Sequence, residues 1–187
     1  MRILAVAALA ALLAAVTIAS PAAQTRYTFD AHSFTISLPQ GFSLVTEASP
    51  EPGYKRWTFA TDTRADGTRG IMQVGLFEAA RMGGSPPIDE FTKTMASTLQ
   101  AAYTNFSGQV QSLPFLGDSR LVQWSGSLPI PESGVSLPIR GLMVLGVQDG
   151  LYFRLDAFDA ETMAPQTLPA ADLALASFRL MVAPPAR

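Results

Sequence analysis

Ser119 is the side chain of this sequence most readily cast as a nucleophile. It stands in Gly117-Asp118-Ser119-Arg120-Leu121, a glycine-led turn that places a hydroxyl just ahead of an apolar run. A serine hydroxyl attacks only when a neighbouring base takes its proton, a task that falls most often to histidine. The chain has a single histidine, His32 in Asp30-Ala31-His32-Ser33, far upstream of Ser119. One histidine cannot build the multi-histidine sites typical of zinc, so His32 reads as a partly exposed turn residue. Asp156, Asp159 and Glu161 form a short acidic group that could hold a hard cation. They lack the alternating oxygen ligands and the glycine of a calcium loop, and read as a solvated turn after the last strand.

The block Gly117 to Leu121 resembles the nucleophile block of the GDSL-type hydrolases. Those enzymes supply their histidine from an Asp-x-x-His block near the C-terminus, and this chain has no such block. Ser119 therefore reads as part of a turn before a strand, and hydrolysis through Ser119 is the third of three functional readings. There is no glycine-rich phosphate loop, nucleotide fingerprint or metal-binding helix motif. No catalytic, cofactor-binding or metal-ligating residue is assigned, and no cofactor is expected. The aromatics Trp57, Phe59, Trp124, Tyr152 and Phe153 fall on expected strands and read as core. Tyr54, Tyr103 and Phe158 are the candidates for exposure, and a cluster of them would mark a patch for an apolar ligand or a partner.

The elements that would position these residues begin after an export signal. Met1-Arg2 leads into an apolar run from Ile3 to Ile18 whose one polar residue is Thr17, followed by Ala19-Ser20-Pro21-Ala22-Ala23. A basic start, an apolar middle and a small-residue exit are the features of a secretory signal peptide. The apolar run is shorter than the roughly 20 residues a helix needs to cross a bilayer. Residues 1–22 are therefore expected to be cut after Ala22, with Ala19 and Ala23 as alternative sites and an uncleaved anchor as the other outcome. The product is periplasmic or secreted, and does not span the membrane once cut.

The absence of cysteine removes disulfides, thiolate metal sites and thiol nucleophiles together. A packed core must hold the domain, and the remaining length suits one domain. The net charge of the whole chain is −2, and loss of Arg2 makes the mature chain one unit more negative. Basic residues are scattered, with only Lys55-Arg56 adjacent, so no stripe exists to neutralise a nucleic acid backbone.

Along residues 26–181, Phe34, Ile36 and Leu38 alternate with Thr35 and Ser37 as a strand does, and Pro39-Gln40-Gly41 ends it. Tyr54 to Ala60 and Met72 to Leu76 read as a hairpin with a long, mobile tip around Asp66-Gly67. Ser85-Pro86-Pro87 starts a helix in which the serine caps free amides. Ile88, Phe91, Met95, Leu99 and Ala102 form its buried stripe, and Asp89, Lys93, Ser97 and Gln100 its wet face. A strand around Leu121 to Ser125 is followed by a link, Leu128-Pro129-Ile130-Pro131, whose prolines exclude it from a sheet. Leu142 to Val147 is apolar on both faces, as in a central strand. Asp149-Gly150 turns it into Leu151 to Phe158. Thr167 stands before Pro169, and Leu168, Ala171, Leu175 and Phe178 at helical spacing mark a second amphipathic helix. Residues 182–187 are an expected disordered tail. Strands without a parallel crossover pattern, plus two helices, predict an α+β domain with an antiparallel sheet flanked by helices.

The order of these elements resembles the PsbP-like family, which includes the DcrB and LpqN groups. The stretch Phe34-Thr35-Ile36-Ser37-Leu38-Pro39-Gln40-Gly41-Phe42 is similar to the family's opening strand and turn, with Phe42 where tryptophan is common. The helix after a long hairpin, the Asp149-Gly150 hairpin and the ending Leu175-Ala176-Ser177-Phe178-Arg179 also fit. The resemblance implies an antiparallel sheet flanked by helices, in a family of mostly non-enzymatic accessory or binding proteins, many exported and with widely differing partners. No binding residue is carried over from it. The leading functional expectation is an exported, non-enzymatic accessory or binding protein of the bacterial cell envelope whose partner is another envelope protein. The alternative is a carrier of a small apolar ligand.

Overall fold

The computed structural model describes residues 24–29, 34–113, 117–131 and 134–181. The signal segment, His32 and the tail 182–187 lie outside the described residues.

A seven-stranded antiparallel sheet forms the body. It is built from β3 (Ser43–Glu51), β4 (Tyr54–Ala60), β5 (Ile71–Glu78), β6 (Thr104–Ser112), β7 (Asp118–Ile130), β8 (Val135–Gln148) and β9 (Leu151–Ala160), in the spatial order β3-β4-β5-β9-β8-β7-β6. A smaller sheet of three strands sets β2 (Phe34–Leu38) between β1 (Thr25–Phe29) and β10 (Arg179–Leu180). Helix α1 (Ile88–Ala102) lies on one face of the large sheet, over β6, β7 and β8. Helix α2 (Ala164–Ser177) lies on the other, over β8 and β9 and against β2. The expected α+β architecture is therefore the observed one.

Two cores follow from strand alternation. On the α2 side, Trp57, Phe59, Val74, Val144, Phe153 and Leu155 pack with Phe34, Ile36 and Leu38 of β2 and with Ala171, Ala174, Leu175 and Phe178. On the α1 side, Phe77, Val122, Trp124, Met143, Leu145 and Tyr152 receive Ile88, Phe91, Met95 and Leu99. β8 contributes to both, as its apolar run requires. Burying a large apolar side chain stabilises by about 1.5–3 kcal/mol, which is how a chain without cysteine holds together. The β8–β9 turn has Asp149 and Gly150 at φ of 52° and 78°, the two left-handed positions that a two-residue antiparallel turn needs. Close packing uses glycine as well, since the Trp124 indole lies flat on Gly141, where any side chain would collide with it.

Several local expectations are corrected. The link through Pro129 and Pro131 was expected outside any sheet, yet β7 runs to Ile130 and pairs with β8 through Pro129↔Ser136 and Ser127↔Pro138. The carbonyl of Ser127 accepts from Thr104 on the β6 side, and that of Pro138 accepts from the Glu161 N–H. Both prolines thus turn their nitrogens away from the β7–β8 ladder, just past the ends of β6 and β9, where no donor is required.

The β4–β5 tip is tied down rather than mobile. Arg64 and Thr68 close it with a backbone bond, and Arg64 reaches across to Asp159. Helix α1 has Pro87 at its cap with no side-chain cap, so Ser85 does not serve. Instead the Tyr152 hydroxyl donates to the Pro86 carbonyl at 2.6 Å and anchors the helix entry. Helix α2 starts at Ala164, with Pro165 in its first turn, and Pro169 lies inside it. Thr167 caps nothing and donates to Asp159.

Candidate functional site

Ser119 is the second residue of β7, inside the strand rather than in a turn before it, and is 1% exposed. Its Oγ donates to the Leu113 carbonyl at 2.5 Å, and the Leu113 N–H donates back to the Ser119 carbonyl. The hydroxyl that would attack is a staple between the ends of β6 and β7. Its neighbours serve packing too, since Arg120 donates to Asp89 at the start of α1 and to Asp118, both at 2.8 Å.

Asp156 and Asp159 are not in a solvated turn, because β9 extends through them; Glu161 is in the exposed turn that follows. Asp156 and Asp159 are 2% and 1% exposed, and each carboxylate takes its own arginine. Arg154 holds Asp156 through two nitrogens at 2.6 and 3.1 Å, while the exposed Glu161 accepts from Arg140. Asp159 accepts from both Arg64 terminal nitrogens, from Thr167 Oγ1 and from the Ala160 N–H. Burial alone would push this carboxyl up, but the hydrogen bonds from Arg64, Thr167 and Ala160 outweigh it and hold it below the usual range. Both buried carboxylates are thereby charge-paired, and no cluster of metal-ligating side chains exists among the described residues.

The five aromatics expected in the core are all buried. Tyr54, Tyr103 and Phe158 are half-buried and share the α1 side of the large sheet. Helix α1 covers β6 to β8 there and reaches β5 and β9 as well, with Phe91 edge-on against Phe77 and Tyr152 and Arg154 donating to Thr98 Oγ1; past the helix, Arg56, Thr58 and Gln73 of β4 and β5 are half-buried. Strand register brings together the cross-strand rows Arg56, Gly75, Arg154 and Thr58, Gln73, Asp156 on this side of the sheet. Gly75 has no side chain, and the Tyr54 ring leans over it, stacked on Phe77 at 4.4 Å. Tyr103 and Phe158 flank Trp124 at 4.9 and 6.0 Å on the far rim. Burial pushes both phenols up, and Arg154 pulls each partly back. Arg154 is neutralised by Asp156. Arg56, beside the Tyr54 hydroxyl, has no carboxylate partner among the described residues, and its Nε is buried without an acceptor.

A second surface lies on the opposite face, between α2 and strands β7 and β8. It is a groove of about 520 Å³ with Leu121, Leu142 and Leu168 as its floor and Gln123, Arg140 and Asp172 on its rim. A further concavity, of about 470 Å³, lies at the β3–β4 turn, lined by Pro50, Tyr54, Leu76 and Leu151 together with Glu51, Lys55 and Glu78.

Sequence reading alone did not single out Arg56, Gln73, Arg154 or the groove. The available signal was a charged or amide side chain at alternate positions of otherwise apolar strands. It becomes a site only when register brings those positions together.

No protein-family model and no curated protein matches the chain. Among solved structures it is similar to cyanobacterial PsbP (CyanoP) from Synechocystis, with a TM-score of 0.55 and 16% identity over 90% of this chain and 98% of that one. It is similar to LpqN of Mycobacterium tuberculosis, a protein involved in cell envelope biogenesis, with a TM-score of 0.54 and 16% identity over 85% and 91%. A Pseudomonas aeruginosa protein of unknown function, described as a putative regulator, gives a TM-score of 0.50 and 11% identity over 87% and 99%. These likenesses establish the PsbP-like fold for this chain, as the resemblance read from its sequence implied.

Proposed function

We propose that the chain is an exported, non-enzymatic binding protein of the bacterial cell envelope, and that its working surface is the half-buried α1-side face of β4 and β5 around Arg56. The observation that carries this reading is Arg56, a cation in the sheet that hydrogen-bonds the Tyr54 hydroxyl and whose buried Nε has no acceptor. A buried donor left unpaired costs about 1–3 kcal/mol, and a carboxylate or carbonyl brought by a partner removes that cost. The occupant that fits is an acidic, hydrogen-bonding segment of another envelope protein, with Tyr54, Tyr103 and Phe158 as an aromatic rim.

Support comes from two directions. The groups with reactive chemistry, Ser119, Asp156 and Asp159, are spent on internal bonds. LpqN, which shares the fold, is described as acting in cell envelope biogenesis. The test is in-cell crosslinking of the tagged protein, affinity recovery and mass spectrometry. A reproducible envelope protein is expected with the wild type, and its recovery should fall at least about tenfold with Arg56→Glu, as loss of a central charged anchor predicts. Equal recovery by the variant, or no specific partner, refutes the reading.

The groove beside α2 favours a second reading, a carrier of a small apolar ligand on Leu121, Leu142 and Leu168. Native mass spectrometry of protein taken from cells should then show an added mass that Leu142→Glu removes. The bare chain mass in the wild type counts against it.

A further inference from the structure

The two outer strands of the large sheet are finished differently. β3 carries Glu47, Pro50 and Glu51 and breaks register twice against β4. Charge, proline and bulges are the usual devices that keep a sheet edge from recruiting another strand. β6 has its one irregularity at the start, between Thr104 and Ser107. From Ser107 to Ser112 it pairs in unbroken register with β7, every residue is exposed, and none is charged or proline. The Leu113 N–H donates to Ser119, so alternate residues back from Leu113, namely Gln111, Gln109 and Ser107, face β7. Gly108, Val110 and Ser112 therefore turn their N–H and C=O groups outward.

We propose that this edge pairs with the same edge of a second copy, antiparallel about Val110, and joins two seven-stranded sheets into one. The sequence around that point is its own complement. Val110 meets Val110 and exchanges two backbone hydrogen bonds, Gly108 meets Ser112 on either side, and Gln109 meets Gln111. Val110 is 55% exposed in the single chain, on the face where its β7 partner is the buried Val122, and the pairing covers it with its own equivalent. With no charge on β6, two identical edges approach without like-charge repulsion.

Because the chain has no cysteine, Val110→Cys supplies a single thiol. A short bifunctional thiol crosslinker should link that variant to itself, and should not link Leu173→Cys on the exposed side of α2. In sedimentation at protein concentrations up to about 1 mM, a range that captures weak association, the wild type should dimerise. Val110→Pro removes an outward N–H and no bond of the β6–β7 ladder, and Val110→Lys sets like charges opposite each other. Both variants should sediment as monomers with wild-type circular dichroism and melting. A wild type that stays monomeric throughout, a dimer that survives both variants, or equal crosslinking from Leu173→Cys overturns the proposal. Capture of a different protein's strand on β6 by a monomeric wild type overturns it as well.

Discussion

Truncating Arg64 to alanine strands the Asp159 carboxylate in the interior, where its side chain has no solvent exposure. In the intact protein that carboxylate takes four hydrogen bonds, from Arg64 Nη1 at 2.8 Å, Arg64 Nη2 at 2.6 Å, Thr167 Oγ1 at 2.6 Å and the Ala160 N–H at 2.8 Å. The variant keeps only the last two and loses the neutralising charge. Breaking a buried pair from one side costs about 3–5 kcal/mol, whereas an exposed pair is worth about 0–1 kcal/mol. Arg64 is 24% exposed and covers Asp159 from the surface, so water can enter when it is removed. The expected loss is therefore at the lower end, about 2–4 kcal/mol.

Both tryptophans are buried, at 0% and 4% exposure, so fluorescence during urea unfolding reports the loss. The pH dependence gives a second check. The native Asp159 carboxyl is held below its unfolded value, so its contribution is complete at neutral pH and is lost as pH falls through the native pKa. Without Arg64 the carboxyl loses its largest lowering influence while burial still opposes its charge, so the variant protonates at higher pH than the wild type and its deficit shrinks on acidification. The deficit of the variant must therefore be smaller in acid than at pH 7. A loss below about 0.5 kcal/mol at pH 7, or a deficit that does not change with pH, refutes this account of Asp159.

Ser119→Ala should cost about 1 kcal/mol through its lost bond to Leu113 and leave any esterase activity of the purified protein unchanged; a drop in turnover would restore Ser119 as a nucleophile. Gly141→Ala drives a methyl group into the Trp124 indole and should destabilise by about 1–3 kcal/mol, with a shifted fluorescence maximum in the native state; wild-type stability would mean that the indole does not rest on Gly141. Tyr152→Phe removes the donor to the Pro86 carbonyl and should cost about 1 kcal/mol while raising hydrogen exchange in the first turn of α1; unchanged exchange there would show that the anchor lies elsewhere.

The central strands were legible because each carries a buried pattern. Phe34 to Leu38 alternates, Leu142 to Val147 is apolar on both faces, and Asp149-Gly150 names its own turn. The edge strands were not. β6 reads Thr-Asn-Phe-Ser-Gly-Gln-Val-Gln-Ser and is exposed along its length, so no alternation of burial was there to be printed in residue type. β3 is exposed almost throughout and contains Pro50. Both are strands because a neighbour offers them a ladder. The prolines of the β7–β8 arm misled for a related reason, since a proline excludes a strand only where a neighbour needs its N–H.

What the sequence by itself determined is the part that composition and periodicity can encode: a start with the features of an export signal, no cysteine, an α+β domain, a helix stripe from Ile88 to Leu99, and a central hairpin at Asp149-Gly150. What only the tertiary structure decided is which side chains meet. Asp159 and Arg64 are 95 residues apart and form one buried pair, and Arg56 and Arg154 come to one face through the register of β4, β5 and β9. Local sequence sets the face on which a side chain lies, because that follows from the period of the strand. Strand order and register set its neighbours across the sheet, and they are settled by the burial of both faces together.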